Sequence, residues 1–243
     1  MTSYLITGAS RGIGLELARQ LVESNAEITI FAAARSTTAP GFQQLLERHP
    51  TQIIHVPLDV TSEDSIKAAV SLVASKLNGQ GLDVLINNAG VMNSGRLEDM
   101  TDLDETFRVN VSGVHSLTRA FLPIMREGRE KKILNMSSTV GSIALHQVFR
   151  MTPVPSYKVT KAALNMLTVL YADELKDEGF TVFCVSPGWL KTDLGGENAD
   201  LPVETGVKSV LKILSSAGRE ANGQFFNIEV SGWDKYQGEK VPW

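Results

Sequence analysis

Short apolar segments alternate with amphipathic helical segments along nearly the whole chain, and this alternation restricts the fold more than any other feature. Parallel strands need long crossover connections, which are usually helices, so the pattern predicts an α/β fold with a doubly wound parallel sheet. We predict about seven strands in a single domain, with helices on both faces of the sheet. The predicted strands are residues 5–7, 27–33, 52–56, 82–86, 131–136, 181–185 and 224–228.

Helices are predicted between these strands, among them a long one over residues 101–125 and another over residues 203–216. No linker, internal repeat or low-complexity segment interrupts the 243 residues, so we treat residues 1–243 as one domain. The net charge of −4, without a basic stripe, does not favour a nucleic-acid partner.

Several functional classes find no support in the sequence. The apolar run at residues 28–34 is too short to span a bilayer, and residues 1–7 show no signal-peptide pattern. Cys184 is the only cysteine, which favours a reducing compartment, and we expect a cytoplasmic protein. The four histidines show no metal-ligand spacing, so no metal site is expected.

A glycine-rich turn lies between the first predicted strand and the first predicted helix. Its sequence runs from Gly8 to Gly14 in the pattern G-x-x-x-G-x-G. Backbone N–H groups at such a turn, together with the positive end of the helix, can hold a pyrophosphate. The turn therefore predicts a Rossmann-type dinucleotide site; the alternative is a plain glycine turn.

Arg35 follows the second predicted strand, where dinucleotide folds often carry an acidic residue for the ribose hydroxyls. An arginine there suits a 2′-phosphate, and Arg11 could supply a second cation. This arrangement favours NADP(H) over NAD(H). The alternative is that both arginines are ordinary surface residues.

Polar or glycine-rich turns also follow the other predicted strands. They contain Asp59, residues 87–90, Ser138 and residues 187–192. Ligands of open α/β sheets bind outside the carboxyl ends of the strands, where all of these turns are expected to meet. Asp59 either approaches the adenine or only stabilises its own turn, since Asp commonly does the latter.

Tyr157 and Lys161 lie four residues apart at the start of a predicted helix, so their side chains share one face. A nearby cation favours the phenolate form and lowers the pKa of a tyrosine. Such a tyrosine can exchange a proton with a carbonyl or alcohol oxygen. Taken alone, the pair is a weak signal, because a solvated pair on a helix surface would show the same spacing.

The ordered set of motifs resembles the classical short-chain dehydrogenase/reductase family over almost the whole chain. The motifs are Thr7 to Gly14, Asn87-Asn88-Ala89-Gly90, Asn110, Ser138, Tyr157-x-x-x-Lys161 and Pro187-Gly188. Within the family the chain is most similar to sniffer-type carbonyl reductases and fungal ketoreductases. The residues behind that similarity are Asn135 to Ser138, Thr160 to Asn165 and the tail Val241-Pro242-Trp243.

The resemblance implies a catalytic tetrad of Asn110, Ser138, Tyr157 and Lys161. Tyr157 would be the proton donor, Lys161 would lower its pKa and bind the nicotinamide ribose, and Ser138 rather than Ser137 would hold the substrate oxygen. Asn110 would hold a water molecule, and Thr192 would meet the carboxamide of the cofactor. The predicted cofactor-binding residues are Gly8, Ser10, Arg11, Gly12, Ile13, Gly14, Arg35, Asp59, Val60, Asn87, Ala89, Gly90, Tyr157, Lys161, Pro187, Gly188, Trp189 and Thr192.

One spacing departs from the family pattern, because Ser138 and Tyr157 are 19 positions apart, which is longer than usual. The additional residues could form a substrate wall that includes His146 and Phe149, or only a surface or interface loop. Residues 189–201 contain two adjacent glycines and are predicted to form a substrate lid, with Trp189 and Leu194 contacting the substrate.

These features predict NADPH-dependent reduction of a ketone or aldehyde to an alcohol, on a substrate that is aromatic, quinone-like or polyketide-like. The alternatives are an NADP-dependent alcohol dehydrogenase that works oxidatively and a nucleotide-sensing regulator without catalysis. The helix that carries Tyr157 has a broad apolar face, which could be plain core or core plus a dimer face. The resemblance favours a homodimer or homotetramer.

Overall fold

The computed structural model describes residues 1–243 and contains one seven-stranded sheet. The strands are β1 (Thr2–Thr7), β2 (Ile28–Ala34), β3 (Ile53–Pro57), β4 (Val84–Asn87), β5 (Lys132–Met136), β6 (Thr181–Ser186) and β7 (Phe225–Asn227). Their order is β3-β2-β1-β4-β5-β6-β7, and every neighbouring pair is parallel. The predicted fold class is thus confirmed, with strand boundaries displaced by only a few residues.

Seven helices connect the strands. They are α1 (Gly12–Ser24), α2 (Pro40–Arg48), α3 (Glu63–Leu77), α4 (Leu103–Phe107), α5 (Val114–Arg126), α6 (Pro155–Glu174) and α7 (Val203–Ser216). Because β1 pairs with β2 on one side and with β4 on the other, the strand order reverses at β1. Ligands of such sheets bind in the crevice at this reversal, outside the carboxyl ends of the strands.

Two hydrophobic layers cover the sheet, one on each face. The larger cluster joins the sheet to α1, α2 and α7, and the second cluster joins it to α3 and α5. Adjacent residues of one strand serve opposite layers, since Leu5 packs in the second cluster and Ile6 in the first. A strand buried on both faces must be apolar throughout, which explains the continuous apolar runs in the sequence.

The long helix predicted over residues 101–125 is divided into three parts. Between α4 and α5 the chain forms a π-helical turn, Arg108–Gly113, which contains Asn110. Such turns inside α-helices are frequent at functional sites. The division also changes which side chains face inward, because Phe107, the last residue of α4, is 38% exposed.

No helix is both long enough and apolar enough to cross a membrane. Nor do three or more His, Cys, Asp or Glu side chains come together in an arrangement that could hold a metal ion.

Candidate active site

The predicted site turns all follow the carboxyl ends of strands. Gly8 follows β1, Arg35 follows β2, Asp59 lies just beyond β3, and Ser138 lies just beyond β5. The parallel sheet therefore brings turns that are far apart in sequence to one edge, as the sequence predicted. The contacts described below join them into one cleft.

The glycine turn is tied to the turn after β4. The hydroxyl of Thr7 accepts hydrogen bonds from the backbone N–H groups of Asn88 and Ala89, at 2.9 and 3.0 Å. In return, Nδ2 of Asn88 donates to the carbonyl of Thr7 at 2.8 Å. Gly8 has φ +67°, and a Cβ at Gly14 would lie 2.3 Å from the Gly8 carbonyl oxygen. Only glycine fits at these two positions, so the turn has a fixed shape.

The N-terminus of α1 is suited to an anion. Its N-cap residue, Arg11, provides no side-chain hydrogen bond to the first turn of the helix, and no acidic residue lies in that turn. The first N–H groups of a helix lack intrahelical partners and carry partial positive charge. A phosphate group can therefore be held here by backbone atoms alone.

Two cationic side chains flank this turn, and only one of them has a partner. Arg35 is exposed and makes no hydrogen bond or salt bridge, although its charge contributes to lowering the pKa of Asp59. Arg11 instead forms a salt bridge with Asp193, Nη1 to Oδ2 at 2.7 Å, in which both side chains are largely exposed. Arg11 thus already has a partner in the predicted lid, whereas Arg35 is free to bind a ligand.

Ser138 and Tyr157 come together in spite of their long separation in sequence. The hydroxyl of Ser138 lies near enough to the phenol to lower the pKa of Tyr157, while burial raises that pKa by more. The neighbouring Ser137 is fully buried and donates from Oγ to Oδ1 of Asn165 at 2.6 Å. Ser138, unlike Ser137, is half-buried and lies next to Tyr157.

Lys161 lies on the same face of α6 as Tyr157, with its Nζ 5.2 Å from the centre of the phenol ring. Its ammonium group is buried and donates to the carbonyl of Met136 at 2.7 Å. Burial lowers the pKa of Lys161 to about 8, because the interior penalises the charged form. The amine is thus held beneath the phenol by the last residue of β5.

The pKa of Tyr157 differs from our expectation. We expected Lys161 to lower it, but burial raises it, and the only opposing effect comes from the neighbouring Ser138 hydroxyl. Desolvation dominates because the phenolate would lose its water, while the ammonium group is directed to a backbone carbonyl. Tyr157 therefore keeps its proton at neutral pH.

Asn110 lies in the π-helical turn, and its side chain has no free polar atom. Oδ1 accepts from the N–H of Val91 at 2.9 Å, and Nδ2 donates to the carbonyl of Val91 at 2.9 Å and to Oγ1 of Thr160 at 3.1 Å. This amide therefore joins the segment after β4 to α6 by hydrogen bonds. A water molecule in the role predicted for Asn110 would therefore have to bind a different polar atom of this turn.

Gly90 links this group to the cofactor side of the cleft. A methyl group in place of its hydrogen would lie 3.3 Å from Oδ1 of Asn110 and 3.9 Å from Nζ of Lys161. Ala89, its neighbour, lies against Gly8, since a Cβ at Gly8 would be 3.0 Å from the Ala89 Cα. The glycine turn and the tetrad therefore share one continuous wall.

Two predicted cofactor residues serve the protein itself. The side chain of Asn87 is buried, and its Nδ2 donates to Thr118 and Asn135, so it points into the interior rather than towards a cofactor. Asp59 uses Oδ1 to accept from both the N–H and the hydroxyl of Thr61. The sequence left two interpretations open for Asp59. The structure shows that its carboxylate stabilises its own turn.

Residues 189–201, the predicted lid, form a closed loop whose ends are joined. Leu190 and Leu201 form a β-bridge, and the N–H of Leu201 donates to the carbonyl of Trp189 at 3.1 Å. At the other side of the loop, Thr192 lies against the glycine turn, 3.5 Å from where a Cβ of Gly12 would be. The lid therefore borders the cofactor cleft directly.

The predicted substrate residues are less closely connected to the tetrad. His146 is exposed, and its side chain makes no hydrogen bond to any tetrad residue. Phe149 is half-buried, and its carbonyl accepts from Nζ of Lys158 at 2.6 Å, next to Tyr157. Trp189 and Leu194 are partly exposed on the lid. The remaining predicted cofactor residues Ser10, Ile13, Val60 and Gly188 are half-buried, and Pro187 is buried.

Sequence reasoning missed several supporting residues. Thr160 is the partner of Asn110, Asn165 holds Ser137, and Tyr236 contacts the lid from near the C-terminus. Asn88 belongs to the motif that follows β4, and Thr160 and Asn165 lie in the segment behind the similarity to sniffer-type reductases, although no role was predicted for them. Nothing in the sequence pointed to Tyr236, because its packing against the lid follows no local pattern.

Comparison with known proteins agrees with this geometry. Residues 3–201 match the family model for short chain dehydrogenases. The chain belongs to the short-chain dehydrogenase/reductase family. Among proteins of this family, the short-chain dehydrogenase/reductase AacuF of Aspergillus aculeatus is 35% identical over 199 residues, which are 77% of this chain and 74% of that protein.

Two solved carbonyl reductases of this family share the whole fold. The NADPH-bound carbonyl reductase from chicken fatty liver is 34% identical, with a TM-score of 0.90 over 100% of this chain and 99% of that chain. The carbonyl reductase Sniffer of D. melanogaster is 29% identical, with a TM-score of 0.89 over 100% of both chains. The similarity to sniffer-type reductases and to fungal members of the family is thus confirmed.

Proposed function

We propose that this short-chain dehydrogenase/reductase uses NADPH to reduce a ketone or aldehyde to an alcohol, with Tyr157 as the proton donor. One observation carries the proposal: the hydroxyl of Ser138 lies near enough to the phenol of Tyr157 to lower its pKa, and the buried amine of Lys161 lies 5.2 Å from the centre of the same phenol ring. Two hydroxyl groups that converge on one point can bind a single carbonyl oxygen.

The cleft fits NADP(H). The uncapped N-terminus of α1 offers backbone N–H groups for the pyrophosphate, and the close approach at Gly14 leaves no room for a side chain there. Arg35, exposed and without a partner, is available for the 2′-phosphate. The chicken carbonyl reductase, which is 34% identical, is itself NADPH-bound, and this supports the same cofactor here.

The residues of this chain divide the chemistry between them. NADPH, when bound, supplies the hydride that adds to the carbonyl carbon. Ser138 donates a hydrogen bond that orients the carbonyl oxygen, and Tyr157 transfers its proton to that oxygen, which gains negative charge as hydride adds to the carbonyl carbon. Lys161, fixed by the carbonyl of Met136, provides positive charge beneath the phenolate that Tyr157 becomes.

The proposed direction rests on the cofactor. The free Arg35 suits NADPH, and a preference for NADPH suits a reductive enzyme. Tyr157 is protonated at neutral pH, since burial raises its pKa, so it carries the proton that reduction consumes.

The surroundings of the cleft favour an apolar substrate. The lid exposes Trp189 and Leu194, and the segment between Ser138 and Tyr157 exposes Ile143, Val148 and Met151. Large exposed apolar side chains of this kind often mark binding surfaces. We therefore propose aromatic ketones and quinones as the substrate class.

Consumption of NADPH in the presence of carbonyl compounds tests the function. The panel contains an aromatic ketone, a quinone, an aliphatic aldehyde and a small polar ketone, each assayed with NADPH and with NADH. We expect turnover with NADPH, fastest on the aromatic compounds. Binding of NADPH without turnover on any carbonyl would instead support the nucleotide-sensing alternative, and turnover only of alcohols with NADP⁺ would support the oxidative one.

A further inference from the structure

Tyr236, near the C-terminus, touches the lid of the cleft at two places. Its side chain is buried, and its hydroxyl accepts a hydrogen bond from the N–H of Trp189 at 3.1 Å. The same hydroxyl donates to Oδ2 of Asp200 at 2.7 Å. One phenol therefore joins the first residue of the lid to its penultimate residue.

The ring of Tyr236 also supports the turn that precedes the lid. A Cβ at Gly188 would lie 3.2 Å from Cε1 of Tyr236 and 2.8 Å from Cδ1 of Ile228. Ring and hydroxyl thus act on consecutive residues, Gly188 and Trp189. The lid ends are further joined by the bridge between Leu190 and Leu201, so Asp200 and Trp189 are held as one unit.

We propose that Tyr236 is a positioning residue: its hydroxyl holds residues 187–192 in the shape that receives the nicotinamide half of the cofactor. The inference rests on the proposed function, because it assumes that NADPH occupies the cleft. It concerns only one half of that ligand. The glycine turn and Arg35, which would hold the adenosine half, make no hydrogen bond with Tyr236.

Protonation of Tyr236 is compatible with this role. Burial raises the pKa of Tyr236 to about 12, and the carboxylate of Asp200 acts in the same direction. At neutral pH the hydroxyl is therefore a proton donor to Asp200 and still has a lone pair for the N–H of Trp189.

Tyr236→Phe tests the hydroxyl independently of the ring. The variant keeps the ring against Gly188 but leaves the N–H of Trp189 and the carboxylate of Asp200 without this partner. Tyr171→Phe is the matched control, because it also removes a phenol hydroxyl with a hydrogen-bond partner, Nδ1 of His115 at 2.9 Å, on an exposed surface of the protein.

Two nucleotides distinguish positioning from general loosening of the fold. NADPH contains both halves of the cofactor, whereas adenosine 2′,5′-bisphosphate contains only the adenosine half. Titration calorimetry should show NADPH binding about tenfold weaker in Tyr236→Phe than in the wild type, the effect of losing a buried hydrogen bond. Adenosine 2′,5′-bisphosphate should bind equally to both, and Tyr171→Phe should match the wild type with both ligands.

Asp200 provides a rescue test of the same contact. Asp200→Asn keeps an oxygen that accepts from Tyr236 and should bind NADPH nearly as the wild type does, while Asp200→Ala should resemble Tyr236→Phe. In steady-state assays, Tyr236→Phe and Asp200→Ala should raise the KM for NADPH more than they lower kcat.

Other outcomes would contradict either the inference about Tyr236 or the proposed function. If Tyr236→Phe binds NADPH like the wild type, or if it weakens both nucleotides equally, Tyr236 is not a positioning residue for the nicotinamide half. If the wild type binds neither nucleotide, the proposed function itself fails, and the inference fails with it.

Discussion

Two adjacent serines show how sharply environment separates identical side chains. Ser137, just beyond the end of β5, is buried and donates its hydroxyl to Asn165, while Ser138 is half-buried and lies next to Tyr157. One residue of displacement reverses the side of an extended chain that a side chain faces. The geometry of the strand end, rather than the chemistry of serine, makes Ser138 the candidate for binding a substrate.

Replacement of the proton donor tests the central residue. Tyr157→Phe should lower turnover by about 10²–10⁴-fold, since general acid catalysis contributes on that order, and should leave NADPH binding nearly unchanged. Stopped-flow and steady-state rates with the best carbonyl substrate provide the measurement, and Tyr171→Phe is the control. Wild-type turnover in Tyr157→Phe would remove this residue from the mechanism.

Cofactor preference should depend on Arg35. Arg35→Asp removes the cation proposed for the 2′-phosphate and introduces a carboxylate suited to a ribose hydroxyl, so the ratio of kcat/KM for NADPH to that for NADH should fall at least tenfold. Arg48→Asp, the same charge change at an exposed position at the end of α2, should leave the ratio unchanged. An unaltered ratio in Arg35→Asp would exclude Arg35 from cofactor binding.

The buried amine of Lys161 should affect stability in a particular pH range. Its pKa is about 8 in the folded protein, compared with about 10.4 in an unfolded chain. Between these values the unfolded chain binds more protons, so the free energy of unfolding rises with pH, and below about pH 8 this slope vanishes.

Comparison with a variant isolates this contribution. The free energy of unfolding of the wild type minus that of Lys161→Met should rise by about 2 kcal/mol between pH 7.5 and pH 9.5. Urea denaturation at several pH values measures it. Lys67→Met, at a largely exposed lysine, should give a flat difference; a flat difference for Lys161→Met as well would show that its pKa is not lowered.

At the scale of elements, the junction of β1 with α1 depends on close backbone packing. Gly14 lies against the carbonyl of Gly8 and the amide of Asn88, and the latter joins this turn to the end of β4. A side chain at Gly14 would push α1 away from the sheet and open the anion site. The glycine spacing is thus a requirement of packing as well as of phosphate binding.

A pair of alanine variants tests this junction. Gly14→Ala should lower the free energy of unfolding by about 1–3 kcal/mol, because overpacking a close contact costs that much, and should weaken NADPH binding strongly. Gly95→Ala is the matched control, since no atom lies within 4 Å of the added methyl group. Urea denaturation and NADPH titration should leave Gly95→Ala like the wild type; equal behaviour of both variants would contradict the packing argument.

At the scale of the whole molecule, α6 has one face in the cleft and another on the protein surface. One side of the helix carries Tyr157 and Lys161 in the cleft. Its outer side exposes Val159, Met166 and Leu170, of which Met166 is 61% exposed and Leu170 59%. Apolar side chains grouped on a helix surface commonly mark an interface, and a symmetric dimer would pair this face with itself.

Oligomeric state can be measured directly. We expect the wild type to sediment as a dimer or tetramer at micromolar concentration and Leu170→Glu to sediment as a smaller species, because a buried charge opposes association. Lys76→Glu, at an exposed position in α3, is the control and should sediment like the wild type. A wild type that is monomeric at this concentration would refute the expected assembly.

Much of this architecture followed from local patterns. Apolar runs such as residues 82–86 predicted buried parallel strands, and the glycine turn predicted the start of α1. The helix over residues 203–216 was predicted with its observed boundaries. These features depend on neighbours in sequence, through hydrophobic period and turn chemistry, and can therefore be read without coordinates.

Only tertiary structure decided the environment of each site residue. The pKa of Tyr157 rises rather than falls because burial, which depends on the whole cleft, outweighs the effect of the neighbouring Ser138 hydroxyl. The π-helical turn at Asn110 depends on partners in Val91 and Thr160, and the lid depends on Tyr236 from 47 positions away. Sequence alone determined which residues could take part in the chemistry, but desolvation and hydrogen-bond partners arise between distant segments, so folding determined what each of them can do.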